Sequence, residues 1–282
     1  MLESLLPLIG VAADAIYLTI TKTFLRRFGR FTSREFSWFI FAGIVLILLI
    51  VVPLTGHWPT SFEFSSTAGW LLLAVGLACA HNLLFYWGME HEKISEIEPF
   101  LLFAPLSGIV ITSLFYPSER FIHIYIAIAL ASLVLLWSHY RRHRIALSQG
   151  ILAILAFIVI NGLELVAIKQ LLVVYAPLTL YLFRCLLILA VFTAIIRPRL
   201  SVLKVHHLPY FGFMAALVVL AIWAVYSAYQ LRGVTETLFV FTLSPILVYW
   251  LSAIFLKEKW RVRTILASIV IVGLVVWVTL LK

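Results

Sequence analysis

Long apolar runs separated by short polar gaps dominate the pattern of this chain. A helix that spans the hydrocarbon core of a bilayer needs about 20 mostly apolar residues, within a range of about 17–25. Ten segments meet this requirement: 4–24, 35–54, 68–89, 94–115, 121–138, 150–172, 178–197, 209–231, 236–256 and 262–281. Because their apolar residues are continuous rather than alternating, a transmembrane barrel is excluded. We therefore predict an all-α fold of ten transmembrane helices.

Three prolines predict irregular backbone inside two of these segments. Pro99 and Pro105 lie in the fourth segment, and Pro245 lies in the ninth. Proline removes a backbone hydrogen bond and breaks or kinks a helix in its interior. Broken helices near the bilayer midplane are typical of binding sites in secondary carriers.

Composition agrees with a membrane protein. The 282 residues are 64% hydrophobic and 12% charged, against about 45–50% and about 25% in soluble domains. The mean hydropathy is +1.11, and no gap is long enough for a soluble domain. The first residues lack the basic start and cleavage site of a signal peptide, so the first segment is expected to remain. Cys79 and Cys185 lie inside apolar segments and are predicted to be free thiols.

The distribution of basic residues predicts an orientation. The net charge is +9, but the charges occupy short gaps between apolar runs, which is not the pattern of a nucleic-acid-binding surface. The gaps after segments one, three, five, seven and nine hold fifteen Lys and Arg, and the opposite side holds three. The positive-inside rule places the basic side in the cytoplasm. Ten spans then place both termini outside.

The two halves of the chain show weak similarity in the same order. A shift of 140 residues aligns Pro105 with Pro245 and Trp137 with Trp277. A shift of 147 aligns Asp14 with Asn161 and Lys22 with Lys169, and a shift of 143 aligns Tyr86 with Tyr229. The repeat unit is five helices, residues 1–138 and 150–282. Since five is odd, the units must lie inverted in the membrane, which is the architecture of many secondary carriers.

The end of each half resembles the EamA-type repeat of the drug/metabolite transporter superfamily. The second half carries Ser244-Pro245, the turn 255–259 with Lys-Glu-Lys, and a last helix with Gly273 and Trp277. The first half carries the weaker copy Pro105 and Ser118-Glu119-Arg120. The resemblance implies ten helices, a central cavity, small organic substrates and often export of amino acids or related metabolites. The chain departs from the family in lacking a glycine in these turns and in its predicted orientation.

Two carboxylates at mid-depth are the first candidates for a solute or proton site. Asp14 is the only aspartate and lies in the middle of the first segment, with Tyr17 on the same helical face. Glu164 lies in the middle of the sixth segment, and Asn161 is one turn earlier at the position that matches Asp14. Ionisable groups within a span are costly unless they face a cavity or a partner. The alternative is a structural carboxylate bonded to a neighbouring helix.

Further candidates lie in segments three, six, seven and eight. His81 and Asn82 could contact solute or bond a neighbouring helix. Trp223 and Tyr226 share a helical face and could hold an amine by cation–π attraction, whereas an interfacial aromatic belt better suits Trp87 and Tyr229. Lys169 and Arg184 are predicted to face solute or form ion pairs. The glutamates at 90, 92, 96 and 98 are interpreted as a solvated patch, and the His139/His143 spacing is not interpreted as a metal site.

These features favour a secondary transporter over an enzyme. We predict alternating access for a small solute such as an amino acid or amine, with the proton as a candidate coupling ion and with no cofactor, catalytic residue or metal. The alternatives are an intramembrane enzyme and a channel or lipid scramblase. An aspartyl protease needs two aspartates, and a His-Glu-x-x-His motif is absent. The expected location is a prokaryotic inner (plasma) membrane, as a multi-pass protein of unknown oligomeric state.

Overall fold

The fold is an assembly of helices. It is a computed structural model that describes residues 2–27, 31–55, 64–92, 100–101, 103–139, 148–255 and 262–280. The first half contains α1 (Leu2–Arg27), α2 (Ser33–Leu54), α3 (Phe64–His91), α4 (Ala104–Phe115) and α5 (Ile122–His139). The second half contains α6 (Gln149–Leu172), α7 (Pro177–Ile196), α8 (Leu208–Arg232), α9 (Val234–Phe241), α10 (Ser244–Phe255) and α11 (Val262–Leu280). Short 3-10 turns occupy Pro117–Glu119, Leu200–Val202 and Val205–His207.

Both helices that were predicted to be irregular begin anew just before a proline. The ninth segment divides into α9 and α10 at Thr242 and Leu243, and α10 begins at Ser244. In the first half, α4 begins at Ala104, so that Pro105 lies in its first turn. A proline there sacrifices no intrahelical hydrogen bond, because the first N–H groups of a helix have no partner. The predicted breaks at Pro105 and Pro245 are confirmed, and Pro99 lies outside the described residues.

The outer surface of the assembly is apolar. Among the described residues, five helices are long and apolar enough to cross a membrane: Ser33–Leu54, Thr67–His91, Gln149–Leu172, Pro177–Ile196 and Val205–Arg232. Shorter apolar helices occupy Leu5–Thr21, Ala104–Phe115, Ile122–Val134 and Val234–Val248. Leu46, Ile50, Leu72 and Ile195 are each more than 60% exposed. Exposed surface of this kind suits a lipid solvent.

Helices from the first half pair with helices from the second. The pairs with the most extensive contact are α3 with α6 and α1 with α8, and further pairs are α2 with α7, α5 with α11, α4 with α6 and α1 with α10. The α3–α6 pair is close, since a Cβ added at Gly88 would lie 2.7 Å from Ile154 Cδ1. Small residues at such contacts let helix backbones approach in membranes. Neither half therefore completes its packing alone.

Helix ends that flank four of the five basic gaps meet at one end of the molecule. Phe24, Phe36, Phe39 and Phe211 form an aromatic cluster there, with the Phe24 and Phe211 ring centroids 5.0 Å apart. Glu35 of α2 pairs with Arg199, which follows α7, at 2.7 Å. Glu92 accepts a hydrogen bond from Ser148 at the start of α6, while Glu90 is exposed, as expected of a solvated patch. Glu96 and Glu98 lie outside the described residues.

Candidate functional site

A central cavity of about 400 Å³ lies among the helices of both halves. Its walls come from α1, α2, α3, α4 and from α6 through α10. The volume is at the lower end of the range of about 300–1,000 Å³ for small-molecule sites. The polar residues that line it are Asp14, Tyr17, His81, Asn82, Tyr86, Asn161, Glu164, Tyr181, Arg184, Tyr226, Tyr229 and Ser244.

Glu164 of α6 is the centre of an ionic cluster on one wall. One carboxylate oxygen contacts Arg184 Nη2 of α7, and the other lies 2.6 Å from His81 Nε2 of α3. Arg184 Nη1 donates to the Tyr226 hydroxyl of α8 at 2.5 Å. All four side chains are buried. A buried charge is stable only when paired and hydrogen-bonded, so this cluster ties four helices together at mid-depth.

The cluster also leaves two polar atoms available. Arg184 Nε and His81 Nδ1 are buried and have no hydrogen-bond partner within the described part of the chain. Unpaired buried donors and acceptors are costly in proteins, where such groups nearly always have partners. Both residues line the cavity, so a solute or water there could bond these atoms.

Asp14 occupies a different environment. Its Oδ2 accepts a hydrogen bond of 2.8 Å from the hydroxyl of Ser244, the first residue of α10. No Lys, Arg or His nitrogen among the described residues forms an ion pair with it. The residue is half-buried and lines the cavity. Its carboxylate lies beside the first residue of α10, and the free N–H groups at the start of a helix carry partial positive charge that favours a negative charge nearby.

Tyrosines supply most of the remaining polar surface. Tyr17 and Tyr86 share a hydrogen bond of 2.8 Å between their hydroxyls, which links α1 to α3. Tyr226 packs edge-to-face with Tyr181 and stacks on Tyr229, each with centroids 6.1 Å apart. Aromatic rings with polar ends suit a site for a solute that has an apolar body.

Most of the candidates chosen from the sequence meet at this cavity. The structure places Asp14, Tyr17, His81, Asn82, Asn161, Glu164, Arg184 and Tyr226 in its wall. Trp223 does not line it and is 37% exposed. Because Trp223 and Tyr226 are three residues apart, their side chains point in different directions around α8. Tyr226 faces the cavity and Trp223 does not. Lys169 was predicted to face solute or to form an ion pair. In the structure it forms an ion pair and does not line the cavity.

Several cavity residues were not identified from the sequence. Tyr229 was interpreted as part of an aromatic belt, and this is wrong, because it is only 7% exposed and lines the cavity. Its alignment with Tyr86 in the repeat was the available signal. Ser244 drew attention only as part of a family motif, and Tyr181 carried no signal beyond its residue type.

A second polar cluster lies at the end of the molecule opposite the basic connectors. Glu119 accepts hydrogen bonds from the backbone N–H groups of Val234 and Thr235, at 3.1 and 2.8 Å, and pairs with Lys169 of α6. Burial alone would raise the pKa of the Glu119 carboxyl, but these bonds outweigh it and hold the pKa below its ordinary value. The first half thereby caps the first helix turn of α9 in the second half. The sequence had indicated Glu119 only as a repeat match.

Within the part of the chain that the structure describes, cysteines and histidines add no further site. Cys79 and Cys185 are free thiols, as predicted. Among the described residues, no group of three or more His, Cys, Asp or Glu could hold a metal ion. His143 lies outside the described residues.

Comparison with known proteins gives a family match and a fold match. Residues 148–280, nearly all of the second half, match the EamA-like transporter family. A solved chain described only as a crystal structure of protein superposes with a TM-score of 0.77 at 16% identity, covering 99% of this chain and 97% of that chain. At that identity the likeness shows the fold alone. No curated protein matches the chain.

Proposed function

Because residues 148–280 form an EamA-like transporter domain in a multi-pass integral membrane protein, we propose that the chain is a secondary transporter. It moves a small organic metabolite, such as an amino acid or an amine, through the central cavity by alternating access. The observation that carries this proposal is the cavity itself, which nine helices line and in which ionisable and aromatic side chains from both halves meet. Intramembrane ionisable residues mark solute and ion pathways, and the family is one of transporters rather than enzymes.

The proposed architecture is ten spans in two inverted repeats, residues 1–138 and 150–282. The helix pairing supports it, because exchanging each helix for its counterpart in the other half leaves the six pairs named above unchanged. The α1–α8 pair becomes α6–α3, the α2–α7 pair becomes itself, and α4–α6 becomes the contact of α10 with α1. Breaks before Pro105 and Pro245 fall at equivalent positions. Such a pseudo-two-fold axis makes two equivalent openings, and rocking of one half against the other opens each in turn.

A proton is the proposed coupling ion, and the direction proposed is export. Asp14 and Glu164 are two carboxylates in the cavity wall that could carry a proton across. Acid residues facing a central cavity serve this purpose in other pumps and transporters. The resemblance to exporters of amino acids and related metabolites supports the direction.

Transport in proteoliposomes tests the function. The purified full chain is reconstituted and assayed with a panel of amino acids and amines, with and without a pH gradient. Asp14→Asn and Glu164→Gln are assayed for monodisperse yield and for flux across a pH range. We expect at least one variant to yield folded protein without coupled flux. Trp223→Phe, on the outer face of α8, is the matched control and should transport normally. Normal flux and unchanged pH dependence in both cavity variants would remove the proposed site.

A further inference from the structure

One of the two carboxylates in the cavity wall has no ionic partner among the described residues. Asp14, Glu164 and Arg184 are the acidic and basic side chains that line it, and Glu164 and Arg184 contact each other. His81 is a second partner of Glu164. The Asp14 carboxylate is therefore left without a counter-charge among the described residues. An unpaired charge at this depth is expensive, so an ionised Asp14 needs a cationic partner that is not part of the chain.

The surroundings of Asp14 leave room for such a partner. A carboxylate has about four acceptor positions, and Ser244 occupies one of them. Asp14 is half-buried beside the cavity, and the rings of Tyr17, Tyr86 and Phe241 line the same space. Aromatic faces attract organic cations once water is excluded. An ammonium group can donate to the free carboxylate positions, while its apolar substituent contacts the rings.

The part of the wall that holds Glu164 and Arg184 is poorly suited to a carboxylate. One N–H of Arg184 Nη2 meets Glu164 and one N–H of Nη1 meets Tyr226, while Nε has no partner among the described residues. A carboxylate that approached Nε would also approach the negative charge of Glu164. Like charges at close range in a low-dielectric site repel strongly. The ammonium group of a zwitterionic amino acid would bind favourably at Asp14, but its carboxylate would be repelled at this wall.

We propose that Asp14, with Ser244, binds the ammonium group of a monovalent organic amine, and that the transported solute carries no carboxylate. This inference rests on the proposed transport function and narrows its substrate class from amino acids and amines to amines. Glu164 and Arg184 neutralise each other, and Arg184 Nε and His81 Nδ1 remain available to uncharged polar groups of the solute.

Three probes with the same phenylethyl body separate the charge classes: phenethylamine, phenylalanine and 3-phenylpropionate. Binding to the purified full chain is measured by calorimetry, and a second series on the leucine skeleton covers a smaller body. We expect each amine to bind at least about tenfold more tightly than its amino acid, the effect of one unfavourable charged contact. Equal or tighter binding of the amino acid or the acid would overturn the proposal, as would no binding by either amine.

The variant Asp14→Asn locates the site. The substitution should weaken binding of the amine by at least about tenfold, as loss of a charge-assisted hydrogen bond does. Trp223→Phe should leave binding of the amine unchanged. Unchanged amine affinity in Asp14→Asn would place the amine elsewhere and refute the assignment. The comparison of probes on the unaltered chain decides the charge class even if this variant does not fold. Flux of phenylalanine that is insensitive to Asp14→Asn would refute the ammonium site alone, whereas absence of flux for every solute would refute the transport function.

Discussion

The two carboxylates of the cavity have different kinds of partner. Glu164 contacts Arg184 and His81 and is 4% exposed. Asp14 accepts one hydrogen bond from a serine hydroxyl and has no cationic partner among the described residues. Removal of one member of a buried ion pair strands the other charge, which typically costs about 3–5 kcal/mol. Replacement of an unpaired carboxylate by a neutral amide strands nothing.

This difference predicts opposite effects of two similar substitutions on stability. Glu164→Gln should lower the apparent Tm of the purified protein, because the Arg184 guanidinium loses its counter-charge. Asp14→Asn should keep or raise it, because the asparagine oxygen can still accept from Ser244. Thermal unfolding of each variant in the same detergent measures both effects.

A double variant provides the control for the Glu164 prediction. Glu164→Gln combined with Arg184→Gln removes both charges and should recover part of the lost stability, since no unpaired ion remains. If the loss of Tm in the double variant equals the sum of the losses in the two single variants, the broken ion pair is not the cause of the destabilisation. Equal Tm values for Asp14→Asn and Glu164→Gln would also contradict the distinction.

At this scale the sequence predicted the cavity residues by depth and residue type. Asp14 and Glu164 were identifiable because a charge inside an apolar segment needs a reason. The helical phase of α8 was not identifiable, because this helix is apolar on all sides. The sequence therefore placed Trp223 at the site and Tyr229 at the interface, whereas the structure has Tyr229 7% exposed and Trp223 37% exposed.

At the scale of elements, the start of α9 depends on two residues from different halves. Gly233 precedes α9 with φ 86° and ψ 167°, a backbone region that is accessible essentially to glycine alone. A Cβ at this position would lie 2.8 Å from Glu119 Oε1. Glu119 in turn accepts the N–H groups of Val234 and Thr235. The turn and the cap are therefore coupled.

Gly233→Ala should destabilise the protein by about 1–3 kcal/mol for the backbone alone, with a further loss from displacement of Glu119. Gly212→Ala is the matched control, because Gly212 lies inside α8 and an added Cβ there meets nothing within 4 Å. Alanine is favoured over glycine in a helix by up to about 1 kcal/mol, so this control should be neutral or stabilising. Scanning fluorimetry of both variants measures the difference, and equal Tm values would show that the turn is not constrained.

The Glu119 cap should weaken in acid. Its carboxyl has a pKa below the ordinary value of 4.5 in the folded protein, so its contribution to stability is complete above pH 4.5. The contribution is lost as the pH falls from there through the pKa of the folded protein. The Tm difference between the natural chain and Glu119→Gln should be constant above pH 4.5 and shrink below it. A difference that grows in acid would assign the opposite sign to the pKa shift.

The elements were largely predictable and their junctions were not. A span of about 20 apolar residues is visible in any sequence, and prolines 105 and 245 indicated the two breaks. The Glu119 cap joins positions that are more than one hundred residues apart, and its energy comes from the approach of a backbone N–H group to a carboxylate. No local pattern of residue types encodes such an approach.

At the scale of the whole molecule, the described residues that flank four of the five basic gaps meet at one end, and the Glu119 cluster lies at the other. Glu35 contacts Arg199, and Glu92 contacts Ser148, so connectors that are distant in sequence share that end. The excess of Lys and Arg predicts that this end is cytoplasmic and that both termini are outside.

A reporter that is active only in the cytoplasm tests this orientation. Fused after Lys282 it should be inactive, and inserted within residues 140–147 it should be active, because that gap belongs to the basic side. Both fusions are compared at equal expression in the same cells. Activity at Lys282 together with inactivity in the gap would show that the charge distribution does not set the orientation of this protein.

The pairing of α1 with α8 has a consequence for how the chain is made. About 180 residues separate the end of α1 from the start of α8, and Thr21 of α1 reaches Met214 of α8 in the finished fold. A ribosome that adds about 5–20 residues per second needs about 10 to 40 s to deliver that partner. Throughout this interval Asp14 is already in the membrane and lacks Ser244, which emerges later still. The first helix therefore lacks its native partners until the last third of the protein has been synthesised. Until then, its carboxylate must be solvated by water or contact the insertion machinery.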